Sequence, residues 1–165
     1  MSQGDLVGRM IGAATLSVDT FEEVEADDTA TGQAAVVVAM VAVATAIGTS
    51  GQGLGAALLS PLAALLGWVV WAGVTLFIGT KLFGGTADWG EMLRTLGFAS
   101  APGILLLLVA LPLIGPIVNL VVPLWMLLAG IVAIRQALDF TTGKAVLTAV
   151  IGWLALLIPR LLLGG

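Results

Sequence analysis

The stretch Ile117-Val118-Asn119-Leu120-Val121-Val122-Pro123-Leu124-Trp125-Met126-Leu127-Leu128-Ala129-Gly130-Ile131-Val132-Ala133-Ile134-Arg135-Gln136-Ala137-Leu138 decides the fold class. It is apolar almost throughout, and its one charge, Arg135, stands a turn from its end. About 20 such residues in a helix cross the hydrocarbon layer of a bilayer. Pro123 within it predicts a kink. The rest of the 165-residue chain agrees: 59% is hydrophobic, 10% is charged, and the mean hydropathy is +1.14. Water-soluble domains carry roughly 25% charge, so a water-soluble globular domain is excluded. The sequence predicts an all-α, polytopic integral membrane helix bundle.

Outward from that stretch, four more spans are read. The first is Ala30 to Gly48, capped by Asp28 or Thr29 and ended by Gly48, Gly51, Gly53 and Gly55. Its small residues Ala35, Ala39, Ala42 and Ala46 suit close helix approach. The second runs from Ala57 to Phe83 and is long enough to tilt or to project past the headgroups. The third, Phe98 to Ile114, has Pro102 near its start and Pro112 near its end, and Leu111 to Pro116 reads as a turn. The fifth is Ala145 to Leu163. A re-entrant hairpin over 98–138 fits the charges equally well. Two crossings are preferred, because re-entrant backbone needs protein shielding.

Residues 1–28 form a separate head, and 29–165 form the five-span domain. The head holds seven acids against Arg9, a sum of −6, while the remainder sums to +2. An acidic head disfavours nucleic acid. With one base and no apolar run before Ala30, it is not a secretory signal. Leu6, Val7, Met10, Ile11, Ala14, Val18 and Phe21 recur at three and four, which predicts one amphipathic interfacial helix over 5–21. Thr20 and Glu23 fit a capping box. The acids at 22–28 lack calcium-loop spacing and read as a solvated charge run.

Five spans put Arg9, Lys81, Arg94, Arg135 and Lys144 on one side and Arg160 alone on the other. The positive-inside bias predicts a cytoplasmic N-terminus and an external C-terminus, and the expected location is the plasma (inner) membrane.

Chemistry is sparse. The chain has no cysteine and no histidine, which excludes thiol catalysis, iron–sulfur clusters, Cys/His zinc and histidine-ligated haem or chlorophyll. No nucleophile motif or phosphate-binding loop occurs. No catalytic residue, metal ligand or cofactor is expected, and no small-molecule substrate. Asp88 and Glu91, beside the interfacial anchor Trp89, read as the polar start of the third helix. Thr75, Asn119 and Thr148 are too few to line a pore, and Asn119 reads as an interhelical hydrogen-bond donor. Arg135 and Asp139, four apart, read as a pair on one helix face. A lipid-phosphate or partner site at Arg135 is the alternative. Trp68, Trp125 and Trp153 fall near the middles of their spans, so their indole N–H groups need partners. They pack inside the bundle or meet a ligand, lipid or neighbouring subunit.

Longer motifs carry a resemblance. Lys81-Leu82-Phe83-Gly84-Gly85-Thr86, Trp89-Gly90-Glu91-Met92-Leu93-Arg94-Thr95-Leu96 and Gly97-Phe98-Ala99-Ser100-Ala101-Pro102 are followed by Trp125-Met126-Leu127 and by Ala133-Ile134-Arg135-Gln136-Ala137-Leu138-Asp139-Phe140. Together with Thr20-Phe21-Glu22-Glu23-Val24, they resemble the Yip domain family, five-span membrane proteins named for interaction with Ypt/Rab GTPases. The resemblance covers nearly the whole chain and is most telling at Gly97, Phe98, Ser100 and Pro102. It implies a cytoplasmic N-terminus, five clustered spans and a non-enzymatic role. With about 28 residues ahead of the first span, the chain looks like the short prokaryotic type. Its expected partners are membrane lipid and other membrane proteins or itself. The function read from all this is a membrane scaffold or partner-binding subunit. The alternative is an accessory transmembrane subunit of a respiratory or photosynthetic complex, and a transporter or channel subunit fits less well.

Overall fold

The computed structural model describes residues 4–48 and 54–162. Among these described residues seven α-helices follow one another: α1 Leu6–Ala14, α2 Val18–Ala26, α3 Ala30–Gly48, α4 Leu54–Phe83, α5 Trp89–Ala99, α6 Gly115–Ala137 and α7 Thr142–Leu162. A 3₁₀ helix, Ala101–Ala110, continues α5. The described residues contain no strand.

The head differs from the single helix expected over 5–21. It is a helical hairpin, because the chain reverses at Thr15–Ser17. Leu16 adopts a left-handed φ of 61°, a conformation that costs a non-glycine residue about 1–2 kcal/mol. Ser17 then caps α2, accepting from the Thr20 N–H at 3.3 Å. The cap is therefore Ser17 and not Thr20. Gly12 makes the tight return possible: a Cβ there would lie 2.1 Å from Thr20 Oγ1. Entry into α3 is organised by Asp27, whose carboxylate accepts from the Thr29 N–H (2.9 Å) and hydroxyl (2.6 Å).

The third apolar helical stretch is displaced from its expected place. It is a composite, Trp89 to Ala110, and starts nine residues before Phe98. Asp88 and Glu91 close a reciprocal capping box, each accepting from the other's backbone N–H (2.8 and 2.7 Å). Arg94 lies within this composite, and its charge is met inside the protein. At Ser100 the helix tightens into the 3₁₀ form, with Pro102, which has no N–H to donate, in the first turn.

Among the described residues, four helical segments are long and apolar enough to cross a membrane: Ala30–Gly48, Ala64–Phe83, Trp89–Ala110 and Gly115–Ala137. The apolar stretch Thr142–Ala155 of α7 is shorter, though α7 as a whole has 21 residues. The helices close a ring. α3 packs on α4, α5 and the 3₁₀ helix, α4 packs on α7, α7 on α6, and α6 on α5 and the 3₁₀ helix. The buried residues of α3 are Ala30, Ala34, Val37, Val38, Val41, Ala42 and Ala44; of the expected row Ala42 is buried, while Ala35, Ala39 and Ala46 are half-buried. The outer faces present Phe77, Leu113, Leu120, Leu128 and Leu147, the surface a helix bundle shows to lipid.

Candidate functional site

The hairpin is held to one end of the bundle by two buried arginines. Arg9 is 4% exposed. Its guanidinium donates to the carboxylates of Glu23 and Asp27 and, at 2.9 Å, to Gln33 Oε1 of α3. Glu23 stands in the last turn of α2, and Asp27 is the extended residue that follows its end. Arg94, also 4% exposed, reaches from α5 to the Glu25 carbonyl (3.2 Å) and to Asp28 (3.1 Å). The acidic run is thus not simply solvated. Glu23, Asp27 and Asp28 are counter-ions, and Glu22 accepts from Gln136 Nε2 at 2.9 Å. The sequence pattern marked Arg9 and Arg94 only as orientation charges. The signal missed was the 23/27 spacing opposite a lone base.

Charge in this junction is uneven. The hydrogen bond that Arg9 donates to the Glu23 carboxylate is the main reason the Arg9 pKa is raised. Asp27 is held at about 2, chiefly by the Thr29 hydroxyl and then by Arg9. Glu25 is pushed up to about 7, first by burial and then by the neighbouring carboxylates Glu91, Asp139 and Glu22.

Apolar contacts complete the junction. Phe21 and Val24 of α2 are fully buried. The Trp125 indole N–H donates to the Ala14 carbonyl at 2.7 Å, which ties the hairpin turn to the middle of α6. Trp68 donates to the Leu93 carbonyl at 3.1 Å, joining α4 to α5. Trp153 is 57% exposed on α7.

The motif residues sit where α3, α5 and the 3₁₀ helix meet. A Cβ on Gly97 would fall 2.7 Å from that of Ala34, so α3 and α5 touch there backbone to backbone. Phe98 is fully buried, and Pro102 is buried in the first 3₁₀ turn. The Ser100 hydroxyl donates to the Gly97 carbonyl at 2.6 Å.

Arg135 and Asp139 do not share a helix face. α6 ends at Ala137, and Asp139 has a left-handed φ of 53°. Asp139 accepts from Thr86 at 2.9 Å, while Arg135 Nε donates to Gln136. Both residues line a polar surface recess with Phe140, Thr141 and Thr142. Beside it, Lys144 donates to the Phe83 carbonyl at 3.2 Å and lies 5.3 Å from the Phe140 ring centre. Asn119 is exposed on α6, not buried between helices as expected. Thr75 and Thr148 are fully buried, and their hydroxyls have no hydrogen-bond partner.

A cavity of about 910 Å³ lies inside the ring, at mid-length of α3, α4, α6 and α7. Val41, Trp68, Trp71, Leu96, Met126 and Trp153 are among its walls. Three of its polar neighbours are engaged within the chain: Trp68 with Leu93, Ser100 with Gly97, and Thr45 with Val41 (2.8 Å).

Among the described residues, no group of three or more acidic, cysteine or histidine side chains is placed to hold a metal ion. The buried polar side chains are Arg9, Thr75, Arg94, Thr95 and Thr148, and both charged ones are spent on the hairpin. No curated protein and no solved structure matches the chain. The family model described as the Yip1 domain matches residues 12–163, from the hairpin through α7. With nearly all its length matched, from the Gly97–Pro102 helix contact to the Arg135–Phe140 corner, the chain belongs to the Yip1 domain family of membrane proteins.

Proposed function

We propose that this protein is a non-enzymatic membrane scaffold or partner-binding subunit with five spans, its N-terminus cytoplasmic and its C-terminus outside, in the plasma membrane. One observation carries the reading: the buried arginines, Arg9 and Arg94, hold the head to the bundle, and neither is free to serve a transport path or a reaction. Intramembrane charges usually mark such paths. Here the charges build a rigid, ordered face instead. That face carries Arg135, Asp139, Lys144 and the outer acids of α2, and it is where a protein or lipid-headgroup partner would dock. On the opposite turn, Leu113 is 89% exposed.

The family-motif residues Gly97, Phe98, Ser100 and Pro102 act in this reading as packing residues that fix the shape of the face. Trp153, exposed on α7, is a candidate contact for lipid or a neighbouring subunit.

The test is purification of tagged protein from its native membrane in gentle detergent, with co-purifying chains identified by mass. Recovery as a homo-oligomer or with defined partners, lost on Arg135→Ala but kept on Arg135→Lys, supports the scaffold. A stoichiometric set of respiratory or photosynthetic subunits would make it an accessory subunit. Sustained, substrate-specific flux in reconstituted vesicles would overturn the proposal.

A further inference from the structure

We infer that the cavity inside the ring is a binding site for the long aliphatic chain of a bilayer lipid. It goes beyond the scaffold reading and needs only that the bundle sits in a membrane.

Size is the first argument. An apolar cavity of roughly 150 Å³ takes one benzene, so by the same packing about 910 Å³ holds some 35 carbons, one or two lipid chains.

Chemistry is the second. The walls are apolar, and Trp68, Ser100 and Thr45 already have partners in the chain. Water finds few polar atoms to bond there, and apolar cavities stay dry. A headgroup or a peptide would leave its own polar groups unpaired.

Access is the third. Leu124 and Leu127 of α6 and Val150 and Trp153 of α7 line the cavity and are each about half exposed on the outer surface. The wall therefore runs out between α6 and α7 onto the face that meets lipid, so a chain can enter sideways from the bilayer. Lipid hydrocarbon is the solvent on that face, and a void left empty at close-packed density forfeits its contacts.

The glycines supply the test. Gly67 and Gly130 line the cavity, and a Cβ on either meets nothing within 4 Å. In the double variant Gly67→Leu/Gly130→Leu each new Cβ enters open space, and the rest of the side chain takes up room beside the lining. Wild-type protein exchanged into a stripping detergent and weighed by native mass spectrometry should carry one or two lipids per chain. The double variant should retain at least tenfold less and melt no lower. Wild-type protein without lipid overturns the inference, as does a folded variant that keeps as much lipid. A dimer found in place of the lipid also overturns it. Should the variant fail to fold, wild-type protein in phosphatidylglycerol vesicles with a diazirine midway along one acyl chain decides the matter. Cross-links to Leu96, which is 5% exposed, support a chain inside. Cross-links confined to outward Phe77 and Leu120 overturn it.

Discussion

Replacing Arg9 with methionine should loosen the head while leaving the bundle intact. Methionine keeps much of the length of the side chain but removes the cation from between Glu23 and Asp27. Breaking a buried ion pair on one side costs about 3–5 kcal/mol, because the orphaned charge stays buried. Here Glu23 and Asp27 remain 29% and 30% exposed and can recover some hydration. The cost should therefore fall near 2 kcal/mol, roughly a 30-fold shift toward the undocked head. Hydrogen exchange of protein in lipid nanodiscs reads this directly. Amides of α1 and α2 should exchange roughly 30-fold faster, and those near Ala133 in α6 should not change. Adding Glu23→Gln to Arg9→Met should return part of the loss, because one orphaned charge is removed. Exchange in α1 and α2 within twofold of wild type would refute the reasoning. It would mean that Phe21, Val24 and the Trp125 bond hold the hairpin alone.

Glu25 gives the junction a pH dependence. Its carboxyl is raised from its ordinary value to about 7, so its contribution to docking is full below about pH 4.5 and is lost as pH rises through about 7. Exchange of α2 amides, corrected for intrinsic rate, should speed up from pH 5 to 8 in wild type and stay flat in Glu25→Gln. Gly97→Val should lower the melting temperature by about 1–3 kcal/mol worth of stability, because its Cβ meets Ala34 at 2.7 Å. Gly130→Ala, in open space, should be neutral or stabilise by up to about 1 kcal/mol in the same melt. Asp88→Ala removes the capping box of α5 and should cost about 1 kcal/mol, read as faster exchange in its first turn.

The membrane class was plain in the sequence because apolar runs of about 20 residues admit few other readings. The four stretches able to cross largely overlap those read from hydropathy. The boundaries that moved share one cause. Hydropathy treats a charge as a water-facing group, whereas Arg94 is solvated by the Glu25 carbonyl and Asp28, residues 66–69 positions away. No local pattern announces that partnership, so hydropathy begins the apolar span only at Phe98, although Asp88 and Glu91 already read as the polar start of that helix. The hairpin was hidden for a related reason. The apolar period continues across Leu16, and only the left-handed φ there and the Gly12–Thr20 contact reverse the chain. Likewise the four-residue spacing of Arg135 and Asp139 describes a helix face only while the helix lasts, and it ends at Ala137. The cavity could not be read at all, since it is a property of how α3, α4, α6 and α7 splay and not of any one of them.

Everything proposed for the docking face depends on Trp89–Ala110 and Gly115–Ala137 each crossing the bilayer, so that Leu113 lies opposite Thr86 and Thr141. The chain has no cysteine, so single cysteines report position without background. Thr86→Cys, Leu113→Cys and Thr141→Cys should be treated in intact cells with a membrane-impermeant maleimide. The account predicts that Leu113→Cys is labelled from outside, and that Thr86→Cys and Thr141→Cys are labelled only after permeabilisation. Leu113→Cys labelled only after permeabilisation, together with the other two, would mean a re-entrant hairpin and would contradict the five-span account.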